Sequence, residues 1–283
     1  MLEAECWMLN PTPIPIDRFP FLCHSPGFNP LRMPSRTLLF LFVLLALAGC
    51  RARQRHPAAA PVPREANIDY LGHNSFVVSS SLGLKVLIDP FDPAVLPYPV
   101  KPGTVAADIV LVTHEDETAN DTDLAGGSPV IIRSSMATGV NRANGVLIRG
   151  VRTSSESLAA NAKVNVAYIW SMDGIRFCHL GAIEDAVSTS EALNIGTVDV
   201  LFLPVGGPPA FTDDKRKLTI ERLQPRIIIP MMYATSHSGK LPLRGLGEWL
   251  SRQGARIERV GSHFTVMPNQ LPSERTIVVM SPQ

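Results

Sequence analysis

The chain has 283 residues, 26 Lys+Arg against 25 Asp+Glu, and a formal net charge of +1. That length fits one large domain or two small ones, and 45% apolar with 18% charged residues excludes a globally disordered chain. The near-zero charge speaks against nucleic acid as a partner, and the four cysteines, Cys6, Cys23, Cys50 and Cys178, form no CxxC pair and no disulfide framework.

In chain order, residues 1–32 hold six prolines and no clear periodicity. They are expected to be a start-site over-call ahead of Met33 or a disordered leader. Residues 33–49 carry Arg36 and then the 11-residue apolar run Leu38–Ala48. The run is too short for the roughly 20 residues of a spanning helix and suits a secretory signal. Leu47-Ala48-Gly49-Cys50 resembles the bacterial lipobox, which implies cleavage before Cys50 and lipid on its thiol. Residues 50–66 are basic and then Ala/Pro-rich, a semi-extended tether. The folded domain is expected over 67–283, held to a membrane in the bacterial cell envelope.

Within that domain the pattern is strand-rich. Asn67–Tyr70 and Ser75–Ser79 flank a Gly72-His73 corner, and Leu84–Ile88 runs into Asp89-Pro90. Asp108–Thr113 is a near-continuous apolar run, the mark of a buried strand, and it ends in His114-Glu115-Asp116-Glu117. Pro129–Arg133 and Gly145–Ile148 read as short strands. Val164–Ser171 and Ile175–Leu180 read as a hairpin turned at Asp173-Gly174. Asp199–Leu203 and Arg226–Pro230 again look buried. Helices are expected over Ser188–Ile195, Asp213–Leu223 and Leu246–Gln253. This order predicts an α/β sandwich in which helices cover two packed sheets.

Tyr70–Phe76, Leu87–Phe91, Val110–His114, Gly174–Gly181, Val198–Gly207 and Pro225–Tyr233 together resemble the metallo-β-lactamase-fold hydrolases. The nearest branch resembles the ascorbate-6-phosphate lactonases and the phospholipases D that act on N-acyl phosphatidylethanolamines. The resemblance implies a four-layer αββα sandwich and a two-zinc site built on a His-x-His-x-Asp-His loop, a later His, a bridging Asp after a Gly and a final His before Tyr. Here only His114 matches that loop. Asp116 stands at its second His, Thr118 at its Asp and Ala119 at its last His. The later His falls among Thr153–Ser157, the bridging Asp is Ala182 and the final His is Met232. Alanine has no donor, and a thioether suits zinc poorly.

The expected function is therefore a lipid-anchored, non-hydrolytic binding or structural protein on a hydrolase scaffold. It has no cofactor and an unidentified small-molecule or protein ligand. The alternative is a surviving hydrolase of lactones, phosphodiesters or phospholipid-like esters, with one zinc ion on His114 and Asp116 and with Glu117, Asp121, Asp123 and Glu156 at hand. His179 and His237 are further catalytic candidates, each with a bland reading as a packed and an exposed-loop histidine. His73 is expected to be a hydrogen-bonded structural residue and Asp89 a brace beneath the site. Cys178 is read as a small buried hydrophobe, and Gly206, Gly207 and Tyr233 as lining a residual pocket. Lys215, Arg216 and Lys217 read as a solvated helix face.

Overall fold

The computed structural model describes residues 64–153 and 164–282. The expected leader, signal and Cys50, the tether up to residue 63, and Glu156 lie outside the described residues. No helix among the described residues is long and apolar enough to cross a membrane.

The first half supplies β1 (Ala66–Gly72), β2 (Ser75–Ser80), β3 (Lys85–Ile88), β4 (Val105–Ala106), β5 (Ile109–Val112), β6 (Ala125–Gly126), β7 (Val130–Arg133), β8 (Gly139–Ala143) and β9 (Val146–Thr153). The second half supplies β10 (Asn165–Met172), β11 (Ile175–His179), α1 (Thr189–Ile195), β12 (Val200–Pro204), α2 (Asp213–Leu223), β13 (Ile227–Met231), α3 (Leu246–Leu250), β14 (Arg256–Val260), β15 (His263–Val266) and β16 (Thr276–Met280). One sheet runs β15-β1-β2-β3-β5-β7, the other β14-β16-β13-β12-β11-β10-β9-β8, and β4 pairs with β6. Strands β3, β5 and β7 are parallel, as are β11, β12, β13, β16 and β14.

The near-continuous apolar runs IVLV, VLFLP and IIIPM are buried throughout because each central strand is covered on both faces. The faces turned toward each other meet in a core around Trp170, Phe177, Phe202 and Phe76, with ring centroids 5.3 Å apart for Trp170–Phe177 and 4.5 Å for Phe76–Phe202. Burying side chains of this size contributes about 1.5–3 kcal/mol each. The outer face of the second sheet packs against the helices through Ile195, Ile220, Leu223, Trp249 and Leu250. The outer face of the first sheet is covered by Phe91, Leu96 and Tyr98 from the loop after β3. Pro93, Pro97, Pro99 and Pro102 keep that loop from closing helical hydrogen bonds.

Helix α1 starts at Ser188 in a capping box with Glu191, and α2 ends at Gln224 in the left-handed conformation before Pro225. The helix expected over Leu246–Gln253 stops at Leu250, with Gly254 close behind. The Lys215–Lys217 run is not simply a solvated face. Arg216 is buried, with Nε donating to the Pro204 carbonyl at 2.9 Å, Nη1 donating to Asp213 at 2.8 Å and its guanidinium 5.1 Å from the Phe211 ring centroid. It ties α2 to the end of β12, the strand that leads into the site.

Candidate functional site

Strands β5, β11, β12 and β13 all point their carboxyl ends to one side, where ligands sit in open α/β sheets. A cavity of ≈ 240 Å³ opens there. His73 enters from the β1–β2 corner, His114, Asp116 and Thr118 from the end of β5, Ala182 from the end of β11, and Met232 from the end of β13. Gly207, Pro208, Pro209 and Leu241–Leu243 form its apolar wall, and Thr153 and Asn165 line it from β9 and β10.

Beneath the cavity lies a buried polar hub. Asp89 accepts from the Thr113 backbone N–H at 2.7 Å, from the Thr113 hydroxyl at 2.7 Å and from Asn74 Nδ2 at 2.8 Å. This is the brace expected of Asp89. Burial raises its carboxyl to about 6, against the lowering by the His114 charge and by these hydrogen bonds. The Thr113 hydroxyl has one proton and gives it to Asp89, so at 2.8 Å from His114 Nδ1 it acts as acceptor. His114 Nδ1 therefore carries a proton and donates it to Thr113, while Nε2 faces Asp116 and Thr118.

Nε2 lies 3.5 Å from Asp116 Oδ1 and 3.5 Å from Thr118 Oγ1. Thr118 donates its hydroxyl (2.5 Å) and its N–H (2.9 Å) to Asp116 Oδ1. Burial opposes ionisation of Asp116, but the His114 ring and the Thr118 donors outweigh it and hold the carboxyl well below the usual range.

Three of the non-glycine residues with left-handed backbones surround this site: His73 (φ 52°), Asp89 (φ 46°) and Met232 (φ 54°). Such strain gathers where the surrounding structure over-determines a position. The His73 carbonyl accepts from the Met232 N–H at 2.9 Å and from the Tyr70 hydroxyl at 3.0 Å, locking the two corners together. Its ring, by contrast, is buried with neither nitrogen hydrogen-bonded. His73 is therefore not the hydrogen-bonded residue the sequence suggested. Burial, helped by the His114 charge and resisted by Asp116, brings its pKa down to about 3, so the ring is neutral.

Several expected site residues stand elsewhere. His179 is wholly buried behind the cavity. Its Nε2 donates to the Asn74 carbonyl at 2.9 Å and its Nδ1 accepts from the Gly181 N–H at 3.2 Å. It occupies the packed role, on the opposite strand face from Cys178, whose thiol burial pushes up to about 12. His237 packs against Tyr98 in a tilted arrangement with ring centroids 4.9 Å apart and does not line the cavity. Tyr233 points away, its hydroxyl donating to the Met280 carbonyl at 3.1 Å. Gly206 lies behind the wall, where an added Cβ would sit 2.5 Å from the Arg244 carbonyl oxygen; only Gly207 of the pair lines the cavity. Glu117, Asp121 and Asp123 do not line it either.

Sequence reading missed Asn165. Its Nδ2 donates to Thr153 Oγ1 and to the Leu180 carbonyl, both at 2.8 Å, and its Oδ1 accepts from the Ala182 N–H at 2.9 Å. An asparagine opening a strand between two buried chain ends was the available signal. Gly181 (φ 62°) leaves room for it, since a Cβ there would lie 2.3 Å from Asn165 Oδ1.

The ligand pattern of the family does not fit these side chains. The positions that the resemblance assigns to it hold one imidazole (His114), one carboxylate (Asp116), one hydroxyl (Thr118), two methyl groups (Ala119, Ala182) and one thioether (Met232). Among the described residues no group of three His, Cys, Asp or Glu is arranged to hold a metal ion.

The family described as beta-lactamase superfamily domain matches residues 67–232. A UPF0173 metal-dependent hydrolase of Thermococcus kodakarensis is 29% identical over 193 residues, covering 59% of this chain and 84% of the relative. One from Archaeoglobus fulgidus is 28% identical over 194 residues, covering 59% and 83%. A Thermotoga maritima crystal structure, described as a candidate zinc-dependent hydrolase of the metallo-β-lactamase superfamily, superposes with a TM-score of 0.63 at 30% identity, over 77% of this chain and all of that one. With two β-sheets packed face to face and this strand-end cavity, the chain belongs to the metallo-β-lactamase-fold hydrolase superfamily.

Proposed function

We propose that this member of a metal-dependent hydrolase family has given up two-metal hydrolysis and uses the cavity to bind a small molecule, anchored in the bacterial cell envelope by lipid on Cys50. One observation carries the binding reading. Ala182 and Met232 line the cavity beside His114 and Asp116, and the motif resemblance assigns them to the family's bridging carboxylate and final imidazole. A bridging carboxylate holds two cations together, and a methyl group does not replace it.

Elemental analysis of the purified chain tests this. The expected result is far less than one zinc per chain, even after incubation with zinc and gel filtration. About two retained equivalents, the load of a two-metal site, would overturn it.

A mononuclear hydrolase is the second reading, and one distance favours it. Two donors on one tetrahedral zinc at ~2.0–2.1 Å are separated by roughly 3.4 Å, and His114 Nε2 lies 3.5 Å from Asp116 Oδ1. Under that reading one zinc is retained, and ester or phosphodiester turnover disappears both in His114→Ala and on chelation. Turnover that survives both changes rejects it.

Anchoring rests on the ordered succession of Arg36, the apolar run and Leu47-Ala48-Gly49-Cys50. Metabolic labelling with radioactive palmitate in a bacterial host is expected to mark the wild-type chain and to leave Cys50→Ser unlabelled. Equal labelling of both would reject the lipobox reading.

A further inference from the structure

A two-zinc cavity draws anions because the ions are the largest charges in it. Without them the side chains set the field. The carboxylates of Asp116 and Glu184 line the cavity together with the His114 ring, and no Lys or Arg does so among the described residues. Lys215, near the rim, directs its ammonium to the Asp185 carboxylate at 2.5 Å and the Glu184 carbonyl at 3.1 Å.

Acidic side chains alone do not make a site, but the buried His73 ring is an independent sign of a ligand. It lines the same cavity, neither nitrogen has a hydrogen-bond partner, and burying such a group unpaired costs about 1–3 kcal/mol. Neutral imidazole offers a lone pair to an incoming donor. The remaining wall is apolar, through Met232, Pro208, Pro209 and Leu243. The ≈ 240 Å³ exceed the roughly 150 Å³ that take up a benzene molecule. No Phe, Tyr or Trp lines the cavity among the described residues, so the aromatic cage that quaternary ammonium ions prefer is lacking.

We propose that the cavity takes a primary alkylammonium ion, its N–H donors directed to the Asp116 carboxylate and the His73 ring and its carbon chain laid against Met232, Pro208, Pro209 and Leu243. The proposal rests on the reading of the site as lacking its two metal ions.

Isothermal titration of the purified full chain, its zinc content measured first, compares hexylammonium, 1-hexanol, hexanoate and tetramethylammonium. Hexylammonium is expected to bind at least about tenfold more tightly than hexanol, a gain of ~1.4 kcal/mol. Hexanoate and tetramethylammonium are expected to give no saturable heat. Asp116→Asn should abolish the preference for hexylammonium over hexanol. Glu184→Gln, at the exposed rim, should weaken hexylammonium a few-fold and leave hexanol unchanged. Hexanol or hexanoate binding as tightly as hexylammonium, or no binding of hexylammonium to a zinc-free chain, overturns the alkylammonium assignment alone. Two retained zinc ions overturn the underlying reading and the assignment with it.

Discussion

Replacing Asp89 by alanine is expected to lower the unfolding free energy at pH 7 by about 4 kcal/mol, within the range of removing the acceptor from several buried donors. The change strands the Thr113 N–H, the Thr113 hydroxyl and Asn74 Nδ2, which now bond to Asp89 at 2.7, 2.7 and 2.8 Å. It also puts alanine at φ 46°, a left-handed backbone that costs a residue of that type about 1 kcal/mol more than aspartate. Part of the loss is returned, because a fully buried carboxylate no longer has to be desolvated. Urea unfolding followed by far-UV circular dichroism measures the result. Asp89→Asn keeps one acceptor oxygen and should lose about half as much. A change below about 1 kcal/mol for alanine would mean that the hub holds nothing together.

The same substitution reaches the cavity floor. With no Asp89 to take its proton, the Thr113 hydroxyl is free to turn and donate to His114 Nδ1. The proton on His114 Nδ1 is then no longer enforced. The hub thus links the stability of the scaffold to the protonation pattern of the site, through two hydrogen bonds in series.

Much of this framework was legible in the sequence because buried strands write themselves as apolar runs. DIVLVT, DVLFL and RIIIP fell on β5, β12 and β13, and Asp173-Gly174 turned the β10–β11 hairpin. The C-terminal strands went unread. β14 and β15 are edge strands with mostly exposed side chains, so they carry no core pattern. β16, TIVVM, is buried throughout and had the signal, but proline-rich flanks masked a five-residue run. At the site, identity was legible and role was not. His114, Asp116, Ala182 and Met232 line one cavity. Which histidines face the cavity was decided by strand ends and backbone twist. His179 and His73 each follow a conspicuous motif, yet one is fully hydrogen-bonded behind the floor and the other is unpaired within it.

Those two rings set the response to acid. Burial brings both His73 and His179 down to about 3, with the His114 charge adding to each and the Asn74 carbonyl partly offsetting the shift of His179. The unfolded chain takes up these protons near pH 6.5 and the folded chain does not. Their stabilisation is therefore complete above pH 6.5 and drains away as pH falls toward 3, at about 1.4 kcal/mol per pH unit for each ring. Asp89 works in the opposite direction. Raised to about 6, it binds its proton more readily folded than unfolded, so its contribution is complete below pH 3.8 and is lost as pH rises through 6. Between pH 6 and 4 two imidazoles oppose one carboxyl, and a net loss of about 1.4 kcal/mol per pH unit is expected on acidification. Below pH 3.8 the depressed Asp116 adds a further loss, since its stabilisation is present only while its carboxyl is ionised. Urea midpoints at pH 7, 6, 5 and 4 should fall steadily over the acid half of that range. His73→Asn removes one of the two imidazoles, keeps a residue that tolerates the left-handed backbone, and breaks no side-chain hydrogen bond. In that variant one imidazole and one carboxyl nearly cancel, and the midpoint should stay almost flat between pH 6 and 4. A wild-type midpoint that is level or rising on acidification across that window would show that the two buried rings accept protons in the folded state.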